Sequence, residues 1–151
     1  MVASLDRQHP RDFFDVRDLF ASEGLDDALR RAFLVYMLSH DRPMSEVLKP
    51  RLKDISEEYK RSFEGMTEEP VPIEELYAAR DRLIREAVGG MPGDHRRLLA
   101  GFLRGEPDWK LLGVPAAQNL PAVKWRKQNL DKLTAGQRAA LVSRLENAFR
   151  A

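Results

Sequence analysis

Residues 28–40, "ALRRAFLVYMLSH", decide the fold class of this 151-residue chain. From Ala32 to Leu38 the segment is apolar at every position, so a helix built from it has no solvated face. A helix that is apolar all round is buried among its neighbours. The segment therefore predicts a helix from about Asp26 to His40, with its apolar part at the centre of a helical fold.

Apolar residues on both sides of this segment recur with helical spacing, and no alternating run of strand length appears. Toward the N-terminus, the spacing predicts a helix from about Pro10 to Ala21 that Gly24 ends. Before the last helix, Thr134 and Gln137 have capping-box spacing. Toward the C-terminus, the pattern predicts a turn at 44–48 and helices over about 52–65, 73–88, 94–104, 121–133 and 135–148. We therefore predict one all-α domain over 1–151, a helical bundle of about six or seven helices with no sheet.

Composition is that of an ordinary folded domain. Hydrophobic residues make up 43% and charged residues 32%, which is enough apolar material for a core. The chain has no cysteine, which excludes disulfides, thiolate metal sites and cysteine nucleophiles. No apolar run reaches the ~20 residues that cross a bilayer, and no export signal is visible. These features predict a cytoplasmic protein that makes no membrane contact.

Most side chains that could bind a ligand or take part in catalysis are better explained by a structural role. The three histidines, His9, His40 and His95, lack the spacing of a helical zinc site, and "GGMPGDH" (89–95) lacks the lysine and hydroxyl residue of a phosphate-binding loop. We therefore predict no metal ligands. Large aromatics flanked by aliphatic residues are more often core than base-stacking platforms. The sequence thus predicts that Tyr36, Trp109 and Trp125 are buried.

The stretch "DRQHPRDFFDVRDLF" (6–20) leaves two interpretations open. In the structural one, Asp12 lies in the first helical turn and Arg11 pairs with Asp15 at i, i+4, which stabilises a helix by ~0.3–0.5 kcal/mol. In the functional one, Asp12 and Asp15 share a helical face as a base or metal ligand, while Arg7 and Arg11 bind phosphates. Spacing alone favours the structural interpretation.

The net charge of the chain is only +1, which gives no overall attraction to nucleic acid. The last part of the chain is nevertheless locally basic. Four cations follow each other closely in the helix predicted over 121–133, and they are candidates for RNA binding: Lys124, Arg126, Lys127 and Lys132.

A family resemblance favours the functional interpretation of the opening stretch. The run "LDRQHPRDFFDVRDLF" (5–20) resembles a motif of the AbiEii family of bacterial nucleotidyltransferase toxins, associated with abortive infection and type IV toxin–antitoxin systems. Its pattern is approximately K-x(6)-R-x(3)-RD-x(2)-DL. The later segments "FLVYMLSHDRPMSEVLKP" (33–50) and "LPAVKWRKQNLDKL" (120–133) resemble, in order, segments that follow this motif in the family.

The resemblance implies roles for four residues. Arg7 and Arg11 match the family's arginines near the phosphates, and Asp12 and Asp15 match its aspartates, one of them near the position of the catalytic base. The intact family transfers a nucleotide from a nucleoside triphosphate, with Mg²⁺, to an RNA acceptor. The preceding lysine of the pattern falls immediately before Met1, so this sequence does not contain it.

The sequence also lacks the family's sheet-borne part, the Gly-Ser loop and the paired Asp-x-Asp carboxylates. Nucleotidyl transfer requires carboxylates that hold one or two Mg²⁺ ions, so we expect no activity and no cofactor for this chain alone. The opening "MVASL" (1–5) resembles the end of a longer helix. We therefore expect the C-terminal helical part of a longer toxin, or else a descendant that only binds.

The resulting prediction has two branches. The first is the helical domain, or a truncated form, of an AbiEii-like nucleotidyltransferase toxin, inactive alone and completed by an N-terminal domain. The second is a non-catalytic helical module that binds a partner protein such as an antitoxin, or binds tRNA or another RNA through its basic C-terminal residues.

Overall fold

The computed structural model describes residues 1–150 and contains no strand in that range, which confirms the all-α prediction. Seven of the nine α-helices have seven or more residues. A π-helical turn at Ile84–Gly89 extends the sixth helix, and two 3₁₀ turns occupy Trp109–Leu112 and Pro115–Asn119. The helices are α1 (Val2–Arg7), α2 (Pro10–Ser22), α3 (Asp27–Ser39), α4 (Met44–Leu48), α5 (Ser56–Ser62), α6 (Ile73–Leu83), α7 (Gly93–Arg104), α8 (Pro121–Asp131) and α9 (Ala135–Phe149).

Local capping explains why most predicted helix ends are correct. The Asp26 side chain accepts a hydrogen bond from the Leu29 N–H at 2.7 Å and begins α3. Thr134 and Gln137 form both halves of the predicted capping box at the start of α9. Pro10 takes the first position of α2, where its missing N–H costs nothing. Local chemistry therefore determines these boundaries within one or two residues.

Buried side chains form two apolar clusters, and α2 contributes to both. The larger cluster includes the inner face of α3, where Phe33, Leu34, Met37 and Leu38 are at most 1% exposed. The smaller cluster consists of Phe13, Ile55, Phe63, Val71 and Leu76. α2 packs mainly on α6, while α4 and α7 pack on α9. The 32–38 segment therefore lies in the main core, as predicted, but with one face only.

The expectation that three aromatic residues are core is wrong for two of them. The side chain of Tyr36 is 68% exposed and that of Trp125 is 58% exposed. Tyr36 lies on the face of α3 opposite the main core, beside the start of α8. Trp109 follows the prediction, because it packs on the main core with its ring edge-on to Phe102 at 6.1 Å.

The helix predicted over 52–65 is shorter than expected, because residues 51–55 are not helical. The Gln8 side chain holds this segment: Nε2 donates to the Arg51 carbonyl at 2.8 Å, and Oε1 accepts from the Lys53 N–H at 3.0 Å. Arg80 donates to the Lys53 carbonyl at 2.8 Å. Leu52 is consequently 53% exposed rather than on a buried helical face. Tertiary hydrogen bonds override the local apolar spacing here.

No helix within residues 1–150 is both long enough and apolar enough to cross a lipid bilayer.

His95 on α7 makes the stability of the fold depend on pH. Its side chain is 5% exposed, and its Nδ1 has no hydrogen-bond partner among the described residues. Burial lowers the pKa of His95 below 6.5, and the nearby cations Arg30 and Arg31 on α3 lower it further, against the opposing effect of Asp27 and Asp94. The folded protein therefore keeps this imidazole neutral.

We expect the free energy of unfolding to fall as the pH is lowered through 6.5, the ordinary pKa of histidine. In that range the unfolded chain binds a proton that the folded chain does not, so protonation favours unfolding. The loss ends once the pH passes the lowered pKa. Urea unfolding of wild type and His95→Gln between pH 7.5 and 5 measures this effect. An equal pH dependence in the two proteins would contradict it.

Candidate functional site

The candidate site lies at the corner between α1 and α2. Gln8 closes α1 in a left-handed conformation, with φ of +55°, and His9 then caps α2 by accepting a hydrogen bond from the Arg11 N–H at 3.2 Å. Gln8 is the only non-glycine residue with positive φ in the described chain. The buried side-chain amide of Gln8 makes two hydrogen bonds to residues 51–53, and these stabilise the backbone conformation. The corner is therefore held from inside the fold.

Arg7 and Asp12 form an ion pair across this corner. Arg7 Nη2 donates to Asp12 Oδ1 at 2.8 Å; the Arg7 side chain is 65% exposed and that of Asp12 is 15% exposed. The other carboxylate oxygen, Asp12 Oδ2, is buried and has no hydrogen-bond partner in the part of the chain that the structure describes. One side of the Arg7 guanidinium faces solvent and remains available to an anion.

The ion pair predicted between Arg11 and Asp15 is not formed. Arg11 Nη2 instead points toward the end of α5, where it donates to the Ser62 carbonyl at 3.3 Å and contacts Met66 Sδ at 3.0 Å. Asp15 is exposed and makes no ion pair with any residue in the 1–150 range. The helix surface therefore presents Asp15 to solvent, and Arg7 rather than Arg11 pairs with one of the aspartates, Asp12.

Asp12 and Asp15 face a common region near the start of α1. Burial lowers the pKa of the Met1 α-amino group, and the negative charges of Asp12 and Asp15 both act in the opposite direction. Asp12 and Asp15 are also three residues apart in α2, which places them on the same face of that helix. Phe13 and Val16, between and beside them in sequence, are buried at 0% and 2% exposure. The acidic side of α2 is thus separate from its packing side.

A second polar group borders the corner on the α5 side. His9 Nδ1 accepts the capping bond, so Nε2 carries the proton and donates to Glu58 Oε1 at 3.3 Å. A hydrogen bond with Ser62 lowers the pKa of Glu58 most, and nearby Arg61 and His9 lower it further. Glu58 therefore stays ionised and holds the His9 ring in place as the cap of α2.

Sequence reasoning missed the residues that support the corner from behind. Lys53 Nζ donates to the Arg7 carbonyl at 3.1 Å, and the Tyr77 hydroxyl donates to Asp54 at 3.0 Å. The guanidinium of Arg80, 8% exposed, lies 4.7 Å over the Tyr77 ring. Arg80 interrupts an otherwise apolar stripe of α6, and a charge on a buried face is a signal that the sequence contains. Gln8 and Lys53 have no such signal.

The structure buries one of the four predicted RNA-binding cations. Arg126 is 7% exposed and donates to the carbonyls of Met37 and Arg42 at 3.0 and 3.1 Å, so it bonds the end of α3 rather than facing solvent. Burial lowers its pKa to about 10. Lys127 pairs with Asp131 at 3.0 Å. Lys124 and Lys132 are exposed. Arg126 is therefore corrected to a structural residue.

Comparison with known proteins identifies the family. Residues 1–129 match the family model described as nucleotidyl transferase AbiEii toxin, type IV TA system. The chain belongs to the AbiEii family. The match includes the α1–α2 corner and extends through most of α8, and α9 lies beyond it. Neither the curated proteins nor the solved structures contain a match to this chain.

AbiEii nucleotidyl transfer implies Mg²⁺, and the corner does not provide a site for it. Within residues 1–150 no group of three His, Cys, Asp or Glu side chains is placed to hold a metal ion. Asp12 already uses one oxygen on Arg7, and its second oxygen is buried. Two-metal transfer sites require several free carboxylates around the ions. The donor set of the corner fits an anion beside Arg7 and a proton acceptor at Asp15 better than a metal.

Proposed function

We propose that this chain supplies the helical half of an AbiEii nucleotidyltransferase site, the half that contacts substrate phosphates and accepts a proton. The observation that supports this most is the separation of the two sides of α2. Phe13 and Val16 are buried in the core, whereas Asp15 is exposed and shares its side of the corner with the Arg7–Asp12 ion pair. Packing does not require those charges there.

Each residue of the corner has a distinct proposed role. Arg7 is mostly exposed and uses one edge of its guanidinium on Asp12, so the remaining N–H groups can bind a phosphate. Asp12 orients Arg7. Asp15 has no ion-pair partner among the described residues and can accept the proton of an attacking RNA hydroxyl. Arg11 reaches phosphate only by leaving its contacts at Ser62 and Met66.

The corner cannot carry out nucleotidyl transfer by itself. The nucleoside triphosphate and Mg²⁺ of the family's reaction need carboxylates that this donor set does not contain. We propose that those carboxylates belong to a separate nucleotide-binding part, and that the helical chain alone is inactive. Because both substrates are intracellular molecules, the site would act in the cytoplasm.

We expect the isolated chain to incorporate no labelled nucleotide into RNA above background. The reason is the absence of metal-binding carboxylates at the corner. The assay combines the protein with each labelled nucleoside triphosphate, Mg²⁺ and total bacterial tRNA, and a protein-free reaction sets the background. Incorporation that disappears in Asp15→Asn would show that the corner is sufficient for catalysis and would overturn this part of the proposal.

The second candidate function is a non-catalytic module that binds a partner protein. A groove of about 770 Å³ between α3 and the start of α8 supports it, since Tyr36 and Leu120 are exposed there at 68% and 41%. The type IV toxin–antitoxin description of the family favours an antitoxin as that partner. Tyr36→Ala should abolish such a complex in size-exclusion chromatography while Arg7→Gln leaves it intact.

A further inference from the structure

A row of arginines lines a trough between α7 and the C-terminal end of α9, far along the chain from the α1–α2 corner. The trough has a volume of about 320 Å³, and four of its lining side chains are Arg96, Arg97, Arg104 and Arg150. A single carboxylate, Glu146, and the ring of Phe149 complete the polar and aromatic part of the lining. Cations thus outnumber carboxylates in a concave surface.

Arg96 gives the trough a fixed positive charge. Its Nε donates to the Met91 carbonyl at 3.0 Å and its Nη2 to the Gly89 carbonyl at 2.9 Å. Carbonyl groups orient the guanidinium without neutralising it. The same guanidinium lies 4.9 Å over the Phe149 ring. Arg96 is therefore held in place with its charge uncompensated by a carboxylate in the described chain.

Arg97 and Arg104 are available to a ligand. Arg97 pairs with Asp94 one turn away, and the two side chains are 68% and 58% exposed. Arg104 lies 3.3 Å from Glu146, and these side chains are 53% and 47% exposed. Ion pairs this exposed are weak and exchange readily for a better anion. A phosphate offers such an anion, because arginine binds it with two parallel hydrogen bonds.

The spacing of the arginines suits a chain of phosphates. Arg97 and Arg104 are seven residues apart on one face of α7, which corresponds to about 10.5 Å along the helix. At this separation the two guanidiniums can contact different phosphates of one strand. Phe149 adds an aromatic edge, a common companion of arginine where unpaired bases are bound.

We propose that this trough, formed by Arg96, Arg97, Arg104 and Arg150, binds the phosphodiester backbone of single-stranded RNA. The choice of RNA as occupant rests on the proposed function, because an RNA acceptor must be held while its hydroxyl reacts. Binding itself needs no nucleotide and no metal. The lysines Lys124, Lys127 and Lys132, by contrast, are expected to contribute little.

The test is a fluorescence-anisotropy titration of the full chain with a labelled 12-nucleotide RNA at several salt concentrations, without nucleoside triphosphate. Arg97→Gln/Arg104→Gln/Arg150→Gln should weaken binding at least about tenfold. The slope of log affinity against log salt should fall by about 0.7 for each lost phosphate contact. The matched control, Lys124→Gln/Lys127→Gln/Lys132→Gln, removes the same charge and should change affinity less than about twofold.

Glu146→Gln provides a test of opposite sign. Removing the only carboxylate of the trough should tighten RNA binding about threefold, since it releases Arg104 and reduces repulsion of phosphate. Circular dichroism of all variants checks folding. Loss of stability cannot produce tighter binding, so this variant separates recognition from structure.

Three results would overturn the proposal. One is an equal loss of affinity in the arginine and lysine triple variants, which indicates only diffuse attraction. Another is weaker RNA binding by Glu146→Gln than by wild type. The third is competition by polyglutamate that is as strong as competition by unlabelled RNA, which indicates an acidic protein partner. RNA affinity tests the trough and ATP binding tests the α1–α2 site, so failure of the trough is distinguishable from failure of that site.

Discussion

Replacing Phe33 by alanine is expected to lower the free energy of unfolding by ~3–5 kcal/mol. The Phe33 side chain is 1% exposed and lies in the main core with Leu34 and Met37 on the inner face of α3. Truncation to alanine removes buried apolar surface and leaves a cavity that tightly packed neighbours fill only partly. Urea unfolding followed by circular dichroism at 222 nm measures the difference.

Tyr36→Ala is the matched control on the same helix. Because Tyr36 is 68% exposed, its loss should change the free energy of unfolding by less than about 1 kcal/mol. A cost for Phe33→Ala below ~1 kcal/mol, or an equal cost for the two variants, would contradict the assignment of the inner and outer faces of α3.

Phe13→Ala is expected to cost a similar ~3–5 kcal/mol, through the second cluster. Phe13 is 0% exposed and contacts the group of residues that joins α2 to the 55–76 region. Loss of this ring should loosen the attachment of α5 as well as lower global stability. Amide hydrogen exchange should therefore show less protection in Ser56–Ser62.

Asp15→Asn tests the opposite side of α2. Asp15 is exposed and has no ion-pair partner in residues 1–150, so the amide should change stability by no more than ~0.5 kcal/mol. A loss of several kcal/mol would mean that Asp15 determines the fold, and that its resemblance to a catalytic aspartate is coincidental. Phe13→Ala and Asp15→Asn thus compare the buried face and the exposed face of the same helix.

Sequence predicted the parts of the fold that depend on local chemistry. Helical spacing, Pro10 at the start of α2, and the Thr134 capping box act within a few residues of each other. Exposure of Tyr36 and Trp125 depends instead on which helices cover α3 and α8. Periodicity does not contain that information, because an apolar face has the same spacing whether or not a neighbour covers it.

The candidate site shows the same limit. The spacing predicts the helix that carries Arg11, Asp12 and Asp15, but it does not predict the partner of each charge. An i, i+4 rule pairs Arg11 with Asp15, whereas a left-handed Gln8 bends the chain so that Arg7 meets Asp12. Arg126 is a predicted RNA-binding cation, yet its neighbours Val123 and Leu130 are buried on the same stripe. A charge within an apolar stripe would have indicated its structural role.

The polar support behind the corner follows from long-range contacts. Gln8 is separated from Lys53 by 45 positions, yet its amide fixes the segment that contacts Arg7. No spacing rule connects residues at that distance.

The central claim is that the exposed side of the α1–α2 corner binds the phosphates of a nucleoside triphosphate. A titration with ATP and Mg²⁺, followed by ¹H–¹⁵N NMR on the full chain, tests it most directly. We expect weak, saturable shifts of amides near Arg7, Asp12 and Asp15, and their loss in Arg7→Gln, which keeps its fold. Shifts near the arginine trough should be the same in both proteins. The absence of shifts at the corner, or unchanged shifts there in Arg7→Gln, would contradict the claim.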